Sequence, residues 1–430
     1  MLDIKLVRES PETIRENLKR RNDPSFFSML DELIGSDREW RSLLQESEEL
    51  RKRRNEITKG IAEAKRNGKD VSSLLKEAER IPRRINEIDE RLVVVRKDCD
   101  SLLLKIPNLL HESVPFGKDD TENREIRKWV PDGQKHVRLP KSHEEILLNL
   151  NLLELDRATK VSGSGFYYLK GSLALLDYSI QRFAIDFLMK RGFILVEPPF
   201  MIKRKPYEGV TSLEDFEKVM YKIDNDDLYL IATSEHPMAA MFMDETLSKD
   251  NLPLKLMGIS PCFRREVGSH GKYTRGIFRV HQFNKIEQFI FCLPEESWKH
   301  HEELQDNSES LYRALEIPHR VVNVCTGDIG IIAAKKYDTE AMLADGQYRE
   351  VGSNSNCTDY QARRLGIKYR EKEGAPPMGF VHTLNNTALA TGRTMIAMIE
   401  ANQQDDGTVR IPKALRPYMG MDFLEPLKRF

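Results

Sequence analysis

The chain has 430 residues, and its 67 basic and 68 acidic side chains leave a net charge of −1. This length exceeds what one typical core needs and predicts two domains, or one large domain with an appendage. The even charge balance excludes a whole-molecule attraction to DNA or to a membrane surface, so a polyanionic partner would have to bind a local basic patch.

The cysteines and the first residues indicate the compartment. Five cysteines are scattered without a Cys-x-x-Cys pair, which favours reduced thiols over a zinc site or a disulfide framework. The start at Met1 lacks the apolar region of a signal peptide, and no apolar run reaches the roughly 18 residues of a membrane span. We therefore expect a cytoplasmic protein that binds neither membranes nor DNA.

Residues 37–105 contain little glycine and much Glu, Arg, Lys and Leu, which is typical of long solvated helices. Two apolar seams with coiled-coil spacing lie on either side of the reversal at Asn67-Gly68. These seams are Trp40, Leu43, Ser47, Leu50, Arg54, Ile57, Ile61 and Ala64, and then Leu74, Ala78, Ile81, Ile85, Ile88, Leu92, Val95, Cys99, Leu102 and Ile106. We predict an antiparallel two-helix coiled-coil arm, with a kink or a helix restart at Pro82.

The half of this arm near the reversal is basic. Between Arg51 and Arg84, twelve Lys or Arg residues stand against five acidic residues, a local balance of +7. Most such charge runs are solvated flanks of a coiled coil, and that alternative stays open. On a chain that is otherwise neutral, however, a long basic arm without aromatic residues in this stretch indicates contact with an RNA backbone through shape and phosphate charge.

The segment from Leu109 to Pro140 has the composition of a linker, with three prolines and two glycines among many charges. We therefore place a domain boundary near residue 110. Residues 1–110 would form the helical arm, and residues 111–430 would form a second domain.

In the second domain, helical patterns alternate with short β-rich runs. Residues 174–191 have the periodicity of an amphipathic helix. Because several of the predicted strands follow one another without a helix between them, we expect an α+β fold with an antiparallel sheet flanked by helices. The predicted strands are Phe193 to Val196, Leu228 to Ala232, Leu254 to Ile259, Gly276 to Phe283, Glu287 to Cys292, His319 to Val324 and Tyr348 to Gly352.

Two segments of this domain carry arginines beside apolar and acidic residues. One runs from Pro261 to Glu266, and the other, from Arg279 to Phe289, begins fifteen residues after Arg264. A guanidinium is a permanently charged planar fork that suits a phosphate or a carboxylate, although an ion-paired strand would explain the pattern as well. The sequence contains no glycine-rich phosphate loop of the common types, so side chains would have to bind phosphates.

With these motifs, the chain resembles the seryl-tRNA synthetase family of class II aminoacyl-tRNA synthetases, in its archaeal and eukaryotic branch, over essentially its whole length. The matching segments are Gly192 to Met201 (motif 1), Ala232 to Pro237, Phe263 to Glu266 with Arg279 to Glu287 (motif 2), Glu350 to Arg364, and His382 to Glu400 with Gly392-Arg393 (motif 3). The resemblance implies the class II catalytic fold, a homodimer formed through motif 1, and ATP-dependent ligation of L-serine to tRNA(Ser), with tRNA(Sec) left open as a further substrate.

Carried over onto the matching residues, the resemblance implies an ATP site with two catalytic arginines. Arg264 would contact the α-phosphate and the serine carboxylate, and Arg393 would bind the γ-phosphate and cover one face of the adenine. Phe283 would stack on the other face, and Glu350 and Ser353 would hold Mg²⁺. The implied ATP-binding residues are Arg264, Arg265, Glu266, Arg279, Val280, Phe283, Glu350, Val351, Gly352, Ser353 and Arg393.

The resemblance also implies a serine site. Thr233 and Glu235 would receive the α-amino group, and Glu287 and Thr387 would bind the hydroxyl. Without the resemblance, Glu287 could instead pair with Arg279, and the two threonines could be capping or turn residues. The implied serine-binding residues are Thr233, Ser234, Glu235, Arg264, Glu287 and Thr387. We expect His281 to be a structural partner inside the sheet.

In the arm, the resemblance implies contacts with tRNA. The residues concerned are Arg51, Lys52, Arg53, Arg54, Lys59, Lys65, Arg66, Lys69 and Arg80. One alternative function is that of an amino-acid ligase that loads a carrier protein, but such relatives lack a long arm. Another is that of a non-enzymatic RNA-binding subunit, which would have lost ATP ligands such as Arg264, Glu350 and Arg393.

Overall fold

The computed structural model describes residues 1–132, 140–212, 217, 219–266 and 276–428 of the chain. The chain divides into two compact units, Met1–Leu109 and Leu110–Phe430. Within the described ranges, none of the helices combines the length with the apolar composition that a bilayer crossing would require.

The first unit, all of whose residues are described, is helical. It consists of α1 (Ile4–Glu9), α2 (Pro11–Lys19), α3 (Ser25–Arg66) and α4 (Ser72–Lys105). Salt bridges run between α3 and α4 from Glu39–Arg91 to Arg53–Glu77, so the beginning of α3 lies beside the end of α4. The predicted antiparallel coiled-coil arm is therefore confirmed.

The seam between α3 and α4 follows the predicted spacing except that Arg54 is exposed and that Leu103, rather than Leu102, is buried near the end of α4. Of the two outcomes predicted at Pro82, a kink or a helix restart, the restart is wrong, because α4 continues through this residue. Ile81 and Ile85, on either side of it, pack in the seam against Ile57, and this packing offsets the backbone hydrogen bond that proline cannot donate.

The second unit alternates strands and helices. Its strands are β1 (Arg124–Trp129), β2 (Leu153–Glu154), β3 (Tyr168–Leu169), β4 (Ile194–Val196), β5 (Met201–Ile202), β6 (Tyr229–Leu230), β7 (Thr246–Ser248), β8 (Leu254–Phe263), β9 (Gln282–Cys292), β10 (His319–Asn323), β11 (Lys335–Met342), β12 (Tyr348–Asn356), β13 (Lys368–Arg370), β14 (Gly379–Phe380) and β15 (His382–Ala390). Its helices include α5 (His143–Asn149), α6 (Asp156–Ser162), α7 (Gly171–Lys190), α8 (Arg204–Val210), α9 (Glu235–Ala239), α10 (Ser297–Ala314), α11 (Tyr360–Leu365), α12 (Thr391–Asn402) and α13 (Arg416–Met419).

The main sheet has the strand order β1-β10-β11-β12-β15-β9-β8-β4. Neighbouring strands are antiparallel throughout, except that β4 at the edge runs parallel to β8. The predicted antiparallel sheet is thus confirmed. The helices α7, α10 and α12 pack on one face of this sheet around a large apolar core, to which β9 contributes Ile286 and Ile290. Because side chains alternate along a strand, Glu287 and Phe289 point to the other face.

Two local predictions for this unit were wrong. The run from Gly276 to Phe283 is not one strand, because regular pairing begins only at Gln282, and Gly276 has a positive φ of 69°. The predicted linker contains β1, whose charged residues form the edge strand beside β10, and charged residues are typical of sheet edges. Residues 133–139 of that predicted linker lie outside the described ranges.

Candidate active site

Strand register brings polar residues of motif 2 and motif 3 together at the centre of the sheet. Glu287 on β9 lies opposite Gly258 on β8 and opposite Thr387 on β15. Two residues earlier on β9, Lys285 lies opposite Ser260. Segments that are far apart in the sequence therefore contribute side chains to one face of the sheet.

A cavity of about 410 Å³ opens on this face. Many of the residues predicted to bind serine or Mg²⁺ line it. They are Thr233, Glu235, Arg264, Glu287, Glu350, Ser353 and Thr387. This cavity has ample room for an amino acid together with part of a larger second substrate.

A second cavity adjoins the first, and Arg264, Lys285, Glu350 and Thr387 line both. It contains most of the residues predicted to bind ATP. They are Arg264, Glu266, Val280, Phe283, Glu350, Val351, Gly352 and Arg393. The structure therefore brings the predicted serine and ATP residues into two continuous spaces that meet at Arg264.

Three of the predicted site residues line neither cavity. Ser234 is fully buried, and its hydroxyl donates to the carbonyl oxygen of Gly258 at 3.3 Å. Arg265 is exposed. Arg279 is also exposed, and its Nε lies 2.7 Å from Glu266 Oε2.

The two arginines predicted to be catalytic are held beside aromatic rings. The guanidinium of Arg264 lies 5.2 Å from the centre of the Phe283 ring, and its Nε donates to the carbonyl oxygen of Ala232 at 3.4 Å. The guanidinium of Arg393 lies 5.0 Å from the Phe278 ring and donates from Nη1 to the carbonyl oxygen of Glu350 at 2.9 Å. Cation–π contacts and backbone acceptors hold both forks in place for an anionic ligand.

Glu287 is almost completely buried, with only 1% of its surface exposed. Its Oε2 lies 2.5 Å from Lys285 Nζ and accepts a hydrogen bond from Thr387 Oγ1 at 3.2 Å. The alternative pairing of Glu287 with Arg279 is therefore wrong. A buried carboxylate compensated by one ammonium and one hydroxyl offers directed polar groups to a small ligand.

Glu235 accepts hydrogen bonds from Asn385 at 3.1 Å and from Gln361 at 3.4 Å. Burial raises the pKa of Glu235 to about 7, and the negative charge of Glu287 adds to this effect. Burial also lowers the pKa of the neighbouring His236 to about 3, so this imidazole is neutral. The cavity thus contains a carboxyl group that titrates near neutral pH.

The ligands expected for Mg²⁺ lie on the neighbouring strands β11 and β12. Ser353 Oγ donates to Asp338 Oδ1 at 2.5 Å, and Lys336 Nζ lies 3.3 Å from Asp338 Oδ2. Glu350 is half-exposed, and the burial of the rest of its surface by itself would raise its pKa. The positive charges of Arg393 and then of Lys336 outweigh this effect, so the pKa of Glu350 is lowered. Among the described residues, no three His, Cys, Asp or Glu side chains form a metal cluster.

Sequence reasoning missed several polar residues of this site. Lys285 and Asn385 each lie two positions before a predicted residue on the same strand, so strand periodicity could have found them. Asp338 lies on β11, for which no strand was predicted, and only the pairing of β11 with β12 brings it to Ser353. Gln361 lies on α11, and no local pattern connects it with Glu235.

His281 is a structural partner, as expected. Its Nδ1 lies 2.9 Å from the carbonyl oxygen of Arg264 and 2.7 Å from the hydroxyl of Tyr221, and its ring stacks on Phe166. These contacts hold the backbone of Arg264 rather than a substrate.

Comparison with protein families gives two matches along the chain. Residues 1–110 match the seryl-tRNA synthetase N-terminal domain, and residues 217–402 match the tRNA synthetase class II core domain (G, H, P, S and T). A serine--tRNA ligase from Methanospirillum hungatei is 54% identical over 420 residues, which cover 97% of this chain and 99% of the relative. The chain belongs to the seryl-tRNA synthetase family.

Solved structures of this family agree with the fold described above. The seryl-tRNA synthetase of Pyrococcus horikoshii, complexed with ATP, is 46% identical with a TM-score of 0.94, and each chain covers all of the other. The cytoplasmic serine-tRNA ligase of Naegleria fowleri, in complex with AMP, is 34% identical with a TM-score of 0.89, and the match covers 100% of this chain and 99% of that one. Membership in the seryl-tRNA synthetase family confirms the class II synthetase fold and the prediction that the chain is an aminoacyl-tRNA synthetase.

Proposed function

We propose that this chain activates L-serine with ATP to form seryl-adenylate, and then transfers serine to the 3' end of tRNA(Ser). The observation that carries this proposal is the meeting of the two cavities at Arg264. One cavity ends in the Glu287–Thr387 pair, which suits a hydroxyl, and the other is lined by Phe283 and Arg393, which suit a nucleotide.

Activation requires the serine carboxylate to attack the α-phosphorus of ATP, with pyrophosphate leaving in line. Both reactants are anionic, so the site must reduce their repulsion and align them. Arg264, which lines both cavities, would contact the serine carboxylate and the α-phosphate together, and Arg393 would bind the γ-phosphate. The carboxylate is already ionised at neutral pH, so no general base is needed.

The residues on β11 and β12 support a magnesium site for ATP. Mg²⁺ is usually bound through one or two carboxylates together with substrate phosphates. Glu350, Ser353 and Asp338 supply two carboxylates and a hydroxyl of this kind. Bound there, Mg²⁺ would neutralise phosphate charge.

Selection of serine would depend on groups that lose their partner when the hydroxyl is absent. With alanine or glycine in the site, the buried Glu287 and Thr387 would each lack a hydrogen bond, a penalty that can discriminate by about 10⁴ or more. The extra methyl group of threonine would have to be excluded by volume. Glu235 in its ionised form would receive the α-amino group of serine, next to Thr233.

Transfer to tRNA would use the basic arm. Seven of the nine predicted arm residues form no ion pair with the described residues, whereas Arg51 and Arg53 pair with Asp89 and Glu77. The unpaired seven are Lys52, Arg54, Lys59, Lys65, Arg66, Lys69 and Arg80. We propose that these seven bind phosphates of tRNA(Ser). A tRNA(Sec) of similar shape would be bound by the same charges.

We further propose that the protein is a homodimer. The edge strand β4 exposes Ile194 and Leu195, and α7 beside it exposes Tyr178 and Met189. Tyr178 is 69% exposed and Ile194 is 55% exposed. Large apolar side chains that are exposed at and beside an edge strand favour coverage by a second copy.

The test is pyrophosphate exchange into ATP with purified protein. Exchange should require serine, and alanine and glycine should each support less than about one thousandth of the serine rate. Arg264→Ala should abolish exchange, because it removes the cation shared by both substrates. Arg370→Ala is the matched control, since Arg370 pairs with Glu373 and lines neither cavity. Equal exchange with alanine would contradict the assignment of serine.

A further inference from the structure

A buried carboxylate on α7 belongs to neither cavity of the active site. Asp177 is only 5% exposed. Its Oδ2 accepts hydrogen bonds from Gln181 Nε2 at 2.7 Å and from Asn284 Nδ2 at 2.9 Å. Burial raises the pKa of this carboxyl, and the uncharged polar groups of Thr391, Asn284 and Gln181 partly offset the effect. A charge that is costly to bury and has only neutral partners calls for a functional explanation.

The residues around Asp177 connect three sequence motifs. Gln181 lies on α7 itself, the helix that leads into motif 1. Asn284 lies on β9, in motif 2, and Thr391 is the first residue of α12, in motif 3. The hydroxyl of Thr391 also lies 3.3 Å from the carbonyl oxygen of Asn284, so the three elements meet at one point.

Asp177 binds β9 on the side of the strand that faces away from the ATP cavity. Side chains alternate along a strand, and Phe283 and Lys285 line the ATP cavity. Asn284, between them, faces the other way and lines a separate cavity of about 250 Å³ together with Asp177. The hydrogen bond from Asn284 to Asp177 therefore fixes the backbone between two residues that face ATP.

Asp177 is linked to α12, the helix that carries Arg393, through Asn284, because the carbonyl oxygen of Asn284 accepts a hydrogen bond from the hydroxyl of Thr391. Thr391 is fully buried, and Arg393 follows two residues later. Arg393 then reaches Glu350 across the cavity through a hydrogen bond of 2.9 Å. A shift of the helix start would move this guanidinium, and misplacement by about 1 Å can cost about 10²-fold in rate.

We propose that Asp177 is a positioning residue for ATP, which holds motif 2 and motif 3 in register through Asn284 and Thr391. This role rests on the proposed function in one respect, because it takes the cavity lined by Phe283 and Arg393 to be the ATP site. Asp177 does not touch the substrates. It acts on ATP binding through Asn284, which donates a hydrogen bond to Asp177 and accepts one from Thr391.

The test variant is Asp177→Leu, which keeps the branched shape of the side chain but removes both oxygens, so that Gln181 and Asn284 lose their acceptor. The Kd of ATP, measured by titration calorimetry, and the KM for ATP in pyrophosphate exchange should both rise about tenfold. The KM for serine should change less than about threefold, since Thr233 and Glu235 lie on other segments. An unchanged Kd of ATP, or equal increases in both KM values, would overturn the proposal.

Asp186→Leu is the matched control, because Asp186 lies on the same helix but binds Arg182 and Tyr418. It should leave the ATP parameters unchanged. If Asp177→Leu does not fold, Thr391→Val removes the hydrogen bond between α12 and Asn284 and should raise the Kd of ATP about threefold, and no change there would count against the role. Lack of serine-dependent exchange in the unaltered protein would contradict the proposed function, while the Kd of ATP would still test Asp177.

Discussion

At the scale of single residues, the serine end of the site depends on a close approach of β12 to β15. A Cβ atom on Gly352 would lie 3.2 Å from Thr387 Cβ, so glycine leaves room for the threonine. The pairing of β15 with β9 is irregular between Thr387 and Leu389, and Ser308 Oγ donates to the carbonyl oxygen of Thr387 at 2.9 Å. These contacts direct the hydroxyl of Thr387 towards Glu287.

Removal of this hydroxyl should weaken serine selection. Thr387→Val keeps the shape of the side chain, so we expect the KM for serine to rise about tenfold and the preference over alanine to fall by a similar factor. Thr339→Val removes another buried hydroxyl, which binds Gln305 away from both cavities, and should leave both KM values unchanged. Exchange kinetics with serine and alanine measure the effect, and an unaltered serine preference in Thr387→Val would contradict it.

Serine binding should also depend on pH through Glu235. Its pKa is raised to about 7, so the carboxylate that attracts the α-amino group is present above this pH and is lost as the pH falls. We expect kcat/KM for serine, at saturating ATP, to fall about tenfold per pH unit below about pH 7. The measurement uses saturating ATP because the pKa of Asp338, which would help to hold Mg²⁺ for ATP, is also raised to about 7.

The variant Glu235→Gln identifies the titrating group. It should bind serine poorly at all pH values and should show no break near neutral pH, because its amide does not titrate. Persistence of the break in this variant would assign it to another group. The isosteric change keeps the acceptor oxygen for Asn385 and Gln361.

At the scale of elements, the basic side chains of the arm fall into two groups, those without an ion pair among the described residues and those paired with a carboxylate. Lys52, Lys59 and Arg66 recur at seven-residue intervals on α3 and are exposed, which places them along one side of the helix. Arg51 and Arg53, by contrast, form salt bridges with Asp89 and Glu77 of α4. A guanidinium that already pairs with a carboxylate has less to gain from a phosphate.

The unpaired group should therefore dominate tRNA binding. We expect the triple variant Lys52→Ala, Lys59→Ala, Arg66→Ala to raise the KM for tRNA at least about tenfold, and to lower the slope of log Kd against log salt by about 2 to 3. The double variant Arg51→Ala, Arg53→Ala is the control and should have a smaller effect. Pyrophosphate exchange without tRNA should be unchanged in both, and a larger loss in the double variant would contradict this division.

At the scale of the whole molecule, the main sheet has two edges of different character. The strand β1 forms one edge of the sheet, and its charged residues discourage pairing with another sheet. β4 ends the other edge, and it exposes Ile194 and Leu195. This difference supports the proposal that a second copy covers the β4 edge.

A charge at that edge should separate the two copies. We expect Ile194→Asp to convert a dimer into a monomer, as measured by light scattering at micromolar concentration, because a carboxylate would have to be desolvated in the interface. Val93→Asp is the control, since Val93 on the arm is 71% exposed but lies far along the chain from β4. Dimers that persist in Ile194→Asp, or a monomeric unaltered protein, would refute this interface.

The sequence by itself determined the elements whose pattern is local. The heptad spacing predicts the arm, because the period of an α-helix is contained in each short window of sequence. The ATP-binding and serine-binding residues that the family resemblance implies line the two cavities, with Ser234, Arg265 and Arg279 as the exceptions. The predicted restart at Pro82 failed because the propensity of one residue was outweighed by the packing of two helices.

Only the tertiary structure decided which polar residues are partners. Glu287 pairs with Lys285 rather than Arg279, and Asp338 joins Ser353, because strand register and pleat bring these side chains together. Asp177 meets Asn284 across more than a hundred residues of chain for the same reason. Periodicity shows which face of its own element a side chain occupies, whereas the choice of partner depends on how separate elements pack.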